Sequence, residues 1–509
     1  MLIDDRHFDI IIVGSGAGGG TLAQKLAPSD KQILVLERGD RMAIEDQNRA
    51  DIDVYKKVRY RSPEQWYDQT GEPFSPQANY AVGGNTKIYR ATLMRMRDRD
   101  FEAVRYQDGT APEWPLKYAD FEPYYTEAEH LYQVHGDHQN DPTEPHHSAS
   151  YPHAASAHPR VMQPIVEKIA AEGLHPTPLP ASLTKRIDDP TGDAEVFGID
   201  RALQHDNVTL QTNAKVVELH TSASGRAIKG VQAIVGNQSV MFSGDIVVLA
   251  CGAVNSAALM LDSANEKHPD GLANGSGMLG RNLMKHLMTV IVERGAARNK
   301  GTFPPSVSIN DFYWGDRDFP YPMGHIENSG GLLQDLIFAE SPPLLSVIAS
   351  VLPGAGLQQL VKRSIGWWAQ TGTLPNLNNR IYWQKDTHFG SKRKKLRYEF
   401  TPNNVEAHDR LVYRWMGVLR DMENSGIGLR SGSLYPRGES PIQVVGYQCG
   451  TARMGTDTAT SVLDINCRTH EIENLYVVDS SFFPSCASVS PALTVMANAL
   501  RVGDHLTCS

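Results

Sequence analysis

Phe8 to Val13 (FDIIIV) is an unbroken apolar, β-branched run, Thr21 to Leu26 (TLAQKL) places its apolar positions at helical spacing, and Gln32 to Leu36 (QILVL) is short and apolar again. Unbroken runs of this length predict buried strands and the 3.6-residue spacing predicts a helix, so the chain opens as strand, turn, helix, strand. Further on, residues 379–383 (NRIYW) and 395–400 (KLRYEF) flank a polar, glycine-containing turn, which predicts a hairpin within an antiparallel sheet. Residues 136–160 are rich in His, Pro, Asp and Ser and read as loop, and residues 296–345 are dense in Gly, Pro and aromatics. Pro342 to Leu357 (PPLLSVIASVLPGAGL) comes nearest to membrane length, but Pro353, Gly354 and Gly356 break it before the roughly 20 residues a spanning helix needs. A buried or lid segment is expected there.

The turn after the first strand reads Gly14-Ser15-Gly16-Ala17-Gly18-Gly19. Its GxGxxG glycines fall at Gly14, Gly16 and Gly19: the first allows the turn, the second lets a phosphate approach the backbone, and the third lets helix and strand pack closely. The free N–H groups and positive dipole end of the following helix suit a pyrophosphate. The second strand ends at Glu37-Arg38, with Glu37 18 residues past the last glycine, where a carboxylate accepts a ribose 2′-OH and repels a 2′-phosphate. A dinucleotide site follows, but the motif alone does not choose between FAD and NAD.

Composition narrows the class. The 509 residues suggest roughly three domains, and 41% hydrophobic with 21% charged residues is an ordinary globular balance. With 49 Lys and Arg against 58 Asp and Glu the net charge is -9, so there is no overall basic field for nucleic acid or anionic lipid. Cys251, Cys449, Cys467, Cys486 and Cys508 are too few and scattered for a disulfide framework and include no CxxC pair, which suggests reduced thiols in a cytoplasmic protein. The first strand starts too near Met1 to leave room for an export leader, and no membrane insertion is expected.

The segment Ala81-Val82-Gly83-Gly84-Asn85-Thr86, followed by Ala91 to Met94 and Arg99-Asp100-Phe101, resembles the glucose–methanol–choline (GMC) family of FAD-dependent oxidoreductases. Glu113-Trp114-Pro115 with Tyr118 to Tyr125, Val247 to Ala253, and Gly280 to Met284 continue the resemblance in the family's order. It ends with Gly450-Thr451-Ala452-Arg453-Met454-Gly455, Leu475 to Asp479, Phe483-Pro484 and Pro491 to Thr494. The resemblance implies an α/β fold: a Rossmann-like FAD-binding domain from 1–130, 205–295 and 440–509, and an α+β substrate-binding domain with an antiparallel sheet from 131–204 and 296–439. It also implies FAD contacts at Gly14, Gly16, Ala17, Gly19, Glu37, Arg38, Gly83, Gly84, Asn85, Thr86, Pro491, Ala492 and Leu493. Asp479 would lie against the ribityl or diphosphate and Val216, in the run Thr212 to Val217, would offer its backbone to the adenine. A strand-end cap and a core valine are their plain structural alternatives. Some members bond the flavin to a histidine shortly after the double glycine; here Lys87, Ile88 and Tyr89 stand there, so FAD is expected to be non-covalent.

Alcohol oxidation removes a hydroxyl proton while a hydride leaves carbon, and a neutral histidine suits the first task. Where the family usually places that histidine this chain has Tyr447, followed by Gln448, and where it places a second histidine or asparagine the chain has Ser490. An unperturbed tyrosine, with a pKa of about 10, is a poor base at neutral pH. Three readings stay open. The enzyme oxidises a hydroxyl of a small to medium polar substrate such as a sugar or specialised metabolite, with Tyr447, Ser490 and Gln448 in the active site or a base recruited from His286 or His325. It oxidises at another bond that needs no strong base. Or it keeps flavin without redox turnover, as a lyase or binding protein. His286 and His325 also have a structural reading, Cys449 is either a flavin-facing thiol or a buried inert one, and the electron acceptor is oxygen or another.

Overall fold

The computed structural model describes residues 1–43, 59–182, 192–294, 305–331, 364–385, 394–424, 437–439 and 445–508. The expected segment 342–357 lies outside them, as does the turn of the expected hairpin.

The first strand, Leu2–Val13, pairs in parallel with Ile33–Leu36 on one side and Gln238–Leu249 on the other, and Val208–Gln211 extends the sheet beyond Ile33–Leu36. Ile10, Ile11, Ile12 and all of Ile33–Leu36 are buried, as strands covered on both faces must be. The strand starts earlier than the apolar run suggests. Leu2, Ile3 and His7, all exposed, pair with Val240, Met241 and Ser243 in the part-buried stretch of the long Gln238–Leu249 strand, where pairing needs no buried apolar run. Ile228–Val235 and Ala214–Thr221 add two antiparallel strands, and Leu475–Val477 pairs in parallel with the buried end of Gln238–Leu249. The helices Ala17–Leu26, Tyr118–Leu131 and Ala492–Cys508 pack against one another beside this sheet.

A second, antiparallel sheet runs in the order Arg437–Glu439, Met284–Arg294, Ser364–Gly372, His325–Gly331, Val307–Ile309, Thr177–Pro178. One face carries Ile291, Ile326, Trp367 and Ala369 into a core with Leu411, Trp415 and Leu419 of the helix Val405–Asn424. The Trp367 and Trp415 rings meet edge-on with centroids 4.7 Å apart. Strand residues alternate, so the other face presents His286, Met288, Trp368 and Gln370. The fold is therefore a Rossmann-like sheet joined to an antiparallel sheet. The Met284–Arg294 strand, near one expected boundary, runs in this second sheet, and Gln448–Cys449 pairs with its first two residues.

The expected hairpin exists, as Arg380–Lys385 paired with Lys394–Glu399. It does not join the large antiparallel sheet. It forms a separate four-stranded sheet with Trp66–Tyr67 and Pro73–Phe74, in which Tyr398 stacks on Trp66 at 6.0 Å.

Candidate active site

A cavity of about 670 Å³ opens at the carboxyl ends of the parallel strands and runs to the inner face of the second sheet. Gly14 adopts φ +100°, and a Cβ on it would come within 2.5 Å of the Ala250 carbonyl. A Cβ on Gly19 would lie 1.9 Å from the Gly14 carbonyl, so this glycine sets how closely helix and strand pack. Gly16 differs: a Cβ there meets no protein atom nearer than 3.9 Å and points into open cavity. Gly16 also caps the helix Ala17–Leu26 without a side-chain hydrogen bond, leaving the first N–H groups to a ligand. The second glycine turn meets the first, since a Cβ on Gly84 would be 3.2 Å from the Gly16 Cα. These two observations, an open glycine cradle and an uncapped helix N-terminus beside it, fit the diphosphate of FAD.

Glu37 is buried at the cavity wall and accepts from Ser15 N and Oγ (3.1 and 2.6 Å) on Oε2 and from Gly39 N (2.9 Å) on Oε1. Burial pushes its carboxyl above the usual carboxylate range, against the pull of those donors. One acceptor position of Oε1 remains for a ribose hydroxyl. Arg38 lies 3.6 Å from the Tyr80 ring centroid and pairs with Glu64 at 2.5 Å. Val216 reaches the cavity from a strand whose pairing shifts by a bulge at that point, which also turns Val217 toward it. Ala17, Gly84, Asn85, Thr86, Pro491 and Ala492 line the cavity as well.

Other expected contacts stand behind the wall. Gly83, at φ +88°, donates its N–H to Ser15 Oγ at 3.1 Å, and Leu493 is buried in the core. Asp479 lines the cavity, but Gly252 N, Ser256 Oγ, Ser481 N and Ser481 Oγ all donate to it. Its carboxylate thus caps the end of the Leu475–Val477 segment and ties it to the start of the helix Ala253–Asp262.

At the far end the wall holds Tyr89, Arg90, Met288, Trp368, Tyr447 and Gln448. Tyr447 and Gln448 face the cavity as the sequence reading expects; Ser490 is buried and lies outside the wall. Ser490 sits one residue before the cavity-lining Pro491 and two before the helix Ala492–Cys508. Tyr89 donates its hydroxyl to the Gly192 carbonyl, and burial, with Tyr132, Asp193 and Tyr447 nearby, pushes its phenol well above the usual tyrosine range.

Neither recruited histidine reaches the cavity wall. His286 is fully buried, donates Nε2–H to the Ala487 carbonyl at 2.8 Å, and has Nδ1 3.3 Å from Gln370 Oε1. Burial is the largest influence and opposes its charge, but Cys486, the Ala487 carbonyl and Gln370 together outweigh it and raise its pKa. His325 lies between Asn310 (2.8 Å) and Glu327 (3.2 Å), also buried. Both are held by protein partners behind the wall. Cys449 is buried outside the wall, and burial pushes its thiol up, so the flavin-facing thiolate reading fails.

Met288 and Trp368 were invisible as site residues along the chain. Only the register Val290↔Trp368 and Met288↔Gln370 brings them together, and the usable signal is the alternation of the two strands. Tyr89 and Arg90 follow the glycine turn too closely to be assigned a direction without its backbone. Arg90 is held over the Trp368 ring at 3.9 Å and donates to the Ser329 carbonyl at 2.9 Å.

Family models described as GMC oxidoreductase match residues 8–288 and 375–499. Among curated relatives, the chain is 27% identical to 6'''-hydroxyparomomycin C oxidase of Streptomyces lividus, over 99% of this chain and 92% of that protein. It is 25% identical to paromamine 6'-oxidase of Streptomyces fradiae, over 98% and 91%. Among solved structures, pyridoxine 4-oxidase from Mesorbium loti superposes with a TM-score of 0.71 at 17% identity, covering 98% of this chain and 99% of that one. This last likeness concerns the fold.

Proposed function

The chain belongs to the GMC oxidoreductase family of FAD-dependent enzymes, and from that premise we propose that it oxidises a CH–OH group of a small to medium polar substrate, such as a sugar or specialised metabolite. The observation that carries this reading is one continuous cavity leading from the Gly14–Gly16 cradle to Tyr447 beneath Met288 and Trp368. Supporting it, the relatives named above are oxidases called after paromamine and 6'''-hydroxyparomomycin C. Their names also support oxygen as the electron acceptor. The strand groupings support a discontinuous cofactor-binding part and a substrate-binding part, with Met284–Arg294 passing into the latter.

FAD, when bound, supplies the hydride acceptor at N5. The Gly14–Gly19 turn, Gly84 to Thr86 and Val216 hold the cofactor, without a covalent bond. Trp368 and Met288 cover the reacting carbon and keep bulk water from it. Tyr447 hydrogen-bonds the substrate hydroxyl and sets its orientation, with Gln448 beside it. As the hydride leaves, the hydroxyl becomes that of a protonated carbonyl, a strong acid, so a weak partner at Tyr447 is enough to take the proton toward solvent. Charging the FAD-loaded protein anaerobically with a panel of hydroxylated compounds tests the reading. Bleaching of the flavin with formation of the carbonyl product supports it, and a flavin that none of them reduces overturns it.

A further inference from the structure

The cavity's charges are balanced unevenly. Four carboxylates line it among the described residues: Glu37, Glu64, Asp262 and Asp479. Each is engaged by protein donors: Glu37 by Ser15 and Gly39, Glu64 by Arg38 at 2.5 Å, Asp262 by Lys394, and Asp479 by the donors given above. Arg61 also lines the cavity, only three residues before Glu64, yet has no carboxylate partner among the described residues. Its Nη2 donates to Gln77 Oε1 at 2.7 Å, a neutral group, and its Nε is buried without an acceptor. Glu64 is directed away from it by Arg38, the Tyr80 hydroxyl (2.7 Å) and Lys215 (3.2 Å). Burial lowers the Arg61 pKa and no neighbour offsets that loss.

Arg61 is held by a residue, Gln77, that lies between the second glycine turn and the segment leading into Tyr447. Gln77 Cγ is 3.7 Å from where a Cβ on Gly446 would lie, and the Gln77 carbonyl accepts from Asn85 Nδ2 at 3.2 Å. Gly446 precedes Tyr447, so the guanidinium is held by Gln77 beside the segment that carries the proposed catalytic phenol. A partly desolvated cation fixed by a neutral amide is an unfavourable arrangement in the free protein, and an anionic group of a ligand offsets it. A guanidinium also offers the paired donors that match a carboxylate or phosphate.

We propose that Arg61 binds an anionic group of the substrate, a carboxylate or a phosphate, and makes the enzyme selective for anionic over neutral and cationic hydroxylated compounds. This rests on reading the Tyr447 end as the substrate site.

Binding is tested apart from turnover. Aromatic probes suit a wall of Trp368, Tyr89 and Tyr447, so the FAD-loaded enzyme is titrated with benzoate, phenyl phosphate, benzyl alcohol and benzylamine while the bound-flavin spectrum is followed. At least one anion should bind roughly tenfold or more tightly than benzyl alcohol and benzylamine, as expected for a charge-assisted hydrogen bond. Benzoate against phenyl phosphate decides which anion fits. Arg61→Gln should erase the preference and Arg61→Lys should keep part of it, both with wild-type FAD content. Benzylamine binding as well as the anions, or an anion preference that survives Arg61→Gln, overturns the proposal. So does loss of FAD from Arg61→Gln, which would assign the guanidinium to the cofactor. Anaerobic reduction by 4-(hydroxymethyl)benzoate and by benzyl alcohol separates the two readings. Equal half-saturation by both leaves hydroxyl oxidation standing and removes the role of Arg61. An Arg61-dependent anion preference with no flavin reduction by any hydroxylated compound removes hydroxyl oxidation and leaves anion binding standing.

Discussion

Tyr447 stands edge-on to His286, with 5.0 Å between ring centroids, and the imidazole is fixed from behind by the Ala487 carbonyl at 2.8 Å. The phenol thus faces the cavity while the histidine serves as its support. His286→Phe retains a ring against Tyr447 but leaves that carbonyl unpaired. The variant should lose about 1–3 kcal/mol of stability in denaturant titration and slow flavin reduction by less than about tenfold. A loss of about 10²–10⁴-fold, the contribution of a positioned base, would instead make His286 the base.

The glycine turn separates cofactor binding from folding. Gly16 has φ −71°, which alanine tolerates, and its Cβ direction is open for 3.9 Å. Gly16→Ala should leave apoprotein stability within about 0.5 kcal/mol and weaken FAD binding by about tenfold or more. Gly19→Ala places a Cβ 1.9 Å from the Gly14 carbonyl and should destabilise the fold by about 2–3 kcal/mol or more. Thermal melts with and without FAD distinguish the two; equal behaviour would show that Gly16 does not face the cofactor.

Glu64 carries a pH signature. Burial works against its charge, but the Arg38 hydrogen bond and charge, with the Tyr80 hydroxyl, outweigh it and hold its carboxyl down to about 2. A depressed carboxylate stabilises the fold fully above its unfolded value of about 4.3 and loses that contribution as pH falls from there toward 2. Wild type should exceed Glu64→Gln by roughly 2 kcal/mol at pH 7, after allowance for partial exposure, and by progressively less below pH 4. Denaturant titrations at pH 7, 5 and 3 measure it, and a gap that stays constant contradicts the pairing with Arg38.

Lys87, Ile88 and Tyr89 occupy the positions after the double glycine where a covalent histidine would stand, and Lys87 is bound to Asp193 and Glu195 at 2.5 and 2.6 Å. Acid precipitation should therefore release all the flavin into the supernatant. Colour retained in the pellet would contradict non-covalent binding.

The parts of the site that are local in sequence were legible from it. The Gly14–Gly19 turn and the Gly83–Thr86 turn depend on backbone freedom over a few residues, and glycine spacing reports that directly. Tyr447 was locatable because it lies three residues before the Gly450-Thr451 motif, just ahead of the short strand Gln448–Cys449. At Ser490 the sequence says less, since one residue decides whether the chain lines the cavity, as Pro491 does, or is buried beside it, and composition does not register that difference. Met288, Trp368 and Arg61 were hidden for another reason. Their common surface exists only after sheet register and loop packing bring separate segments together. The early start of Leu2–Val13 and the separate hairpin sheet were missed likewise, because pairing of exposed residues and the Trp66–Tyr398 stack leave no periodic trace.

In the proposed reaction Tyr447, standing in place of a histidine, governs the hydroxyl proton during flavin reduction. Anaerobic stopped-flow reduction of FAD-loaded wild type and Tyr447→Phe by a hydroxylated compound that bleaches the wild-type flavin tests it most directly. Tyr447→Phe should lower the rate constant by about tenfold or more, with FAD content unchanged. An equal rate constant in both proteins would contradict it and place the proton acceptor elsewhere on the cavity wall.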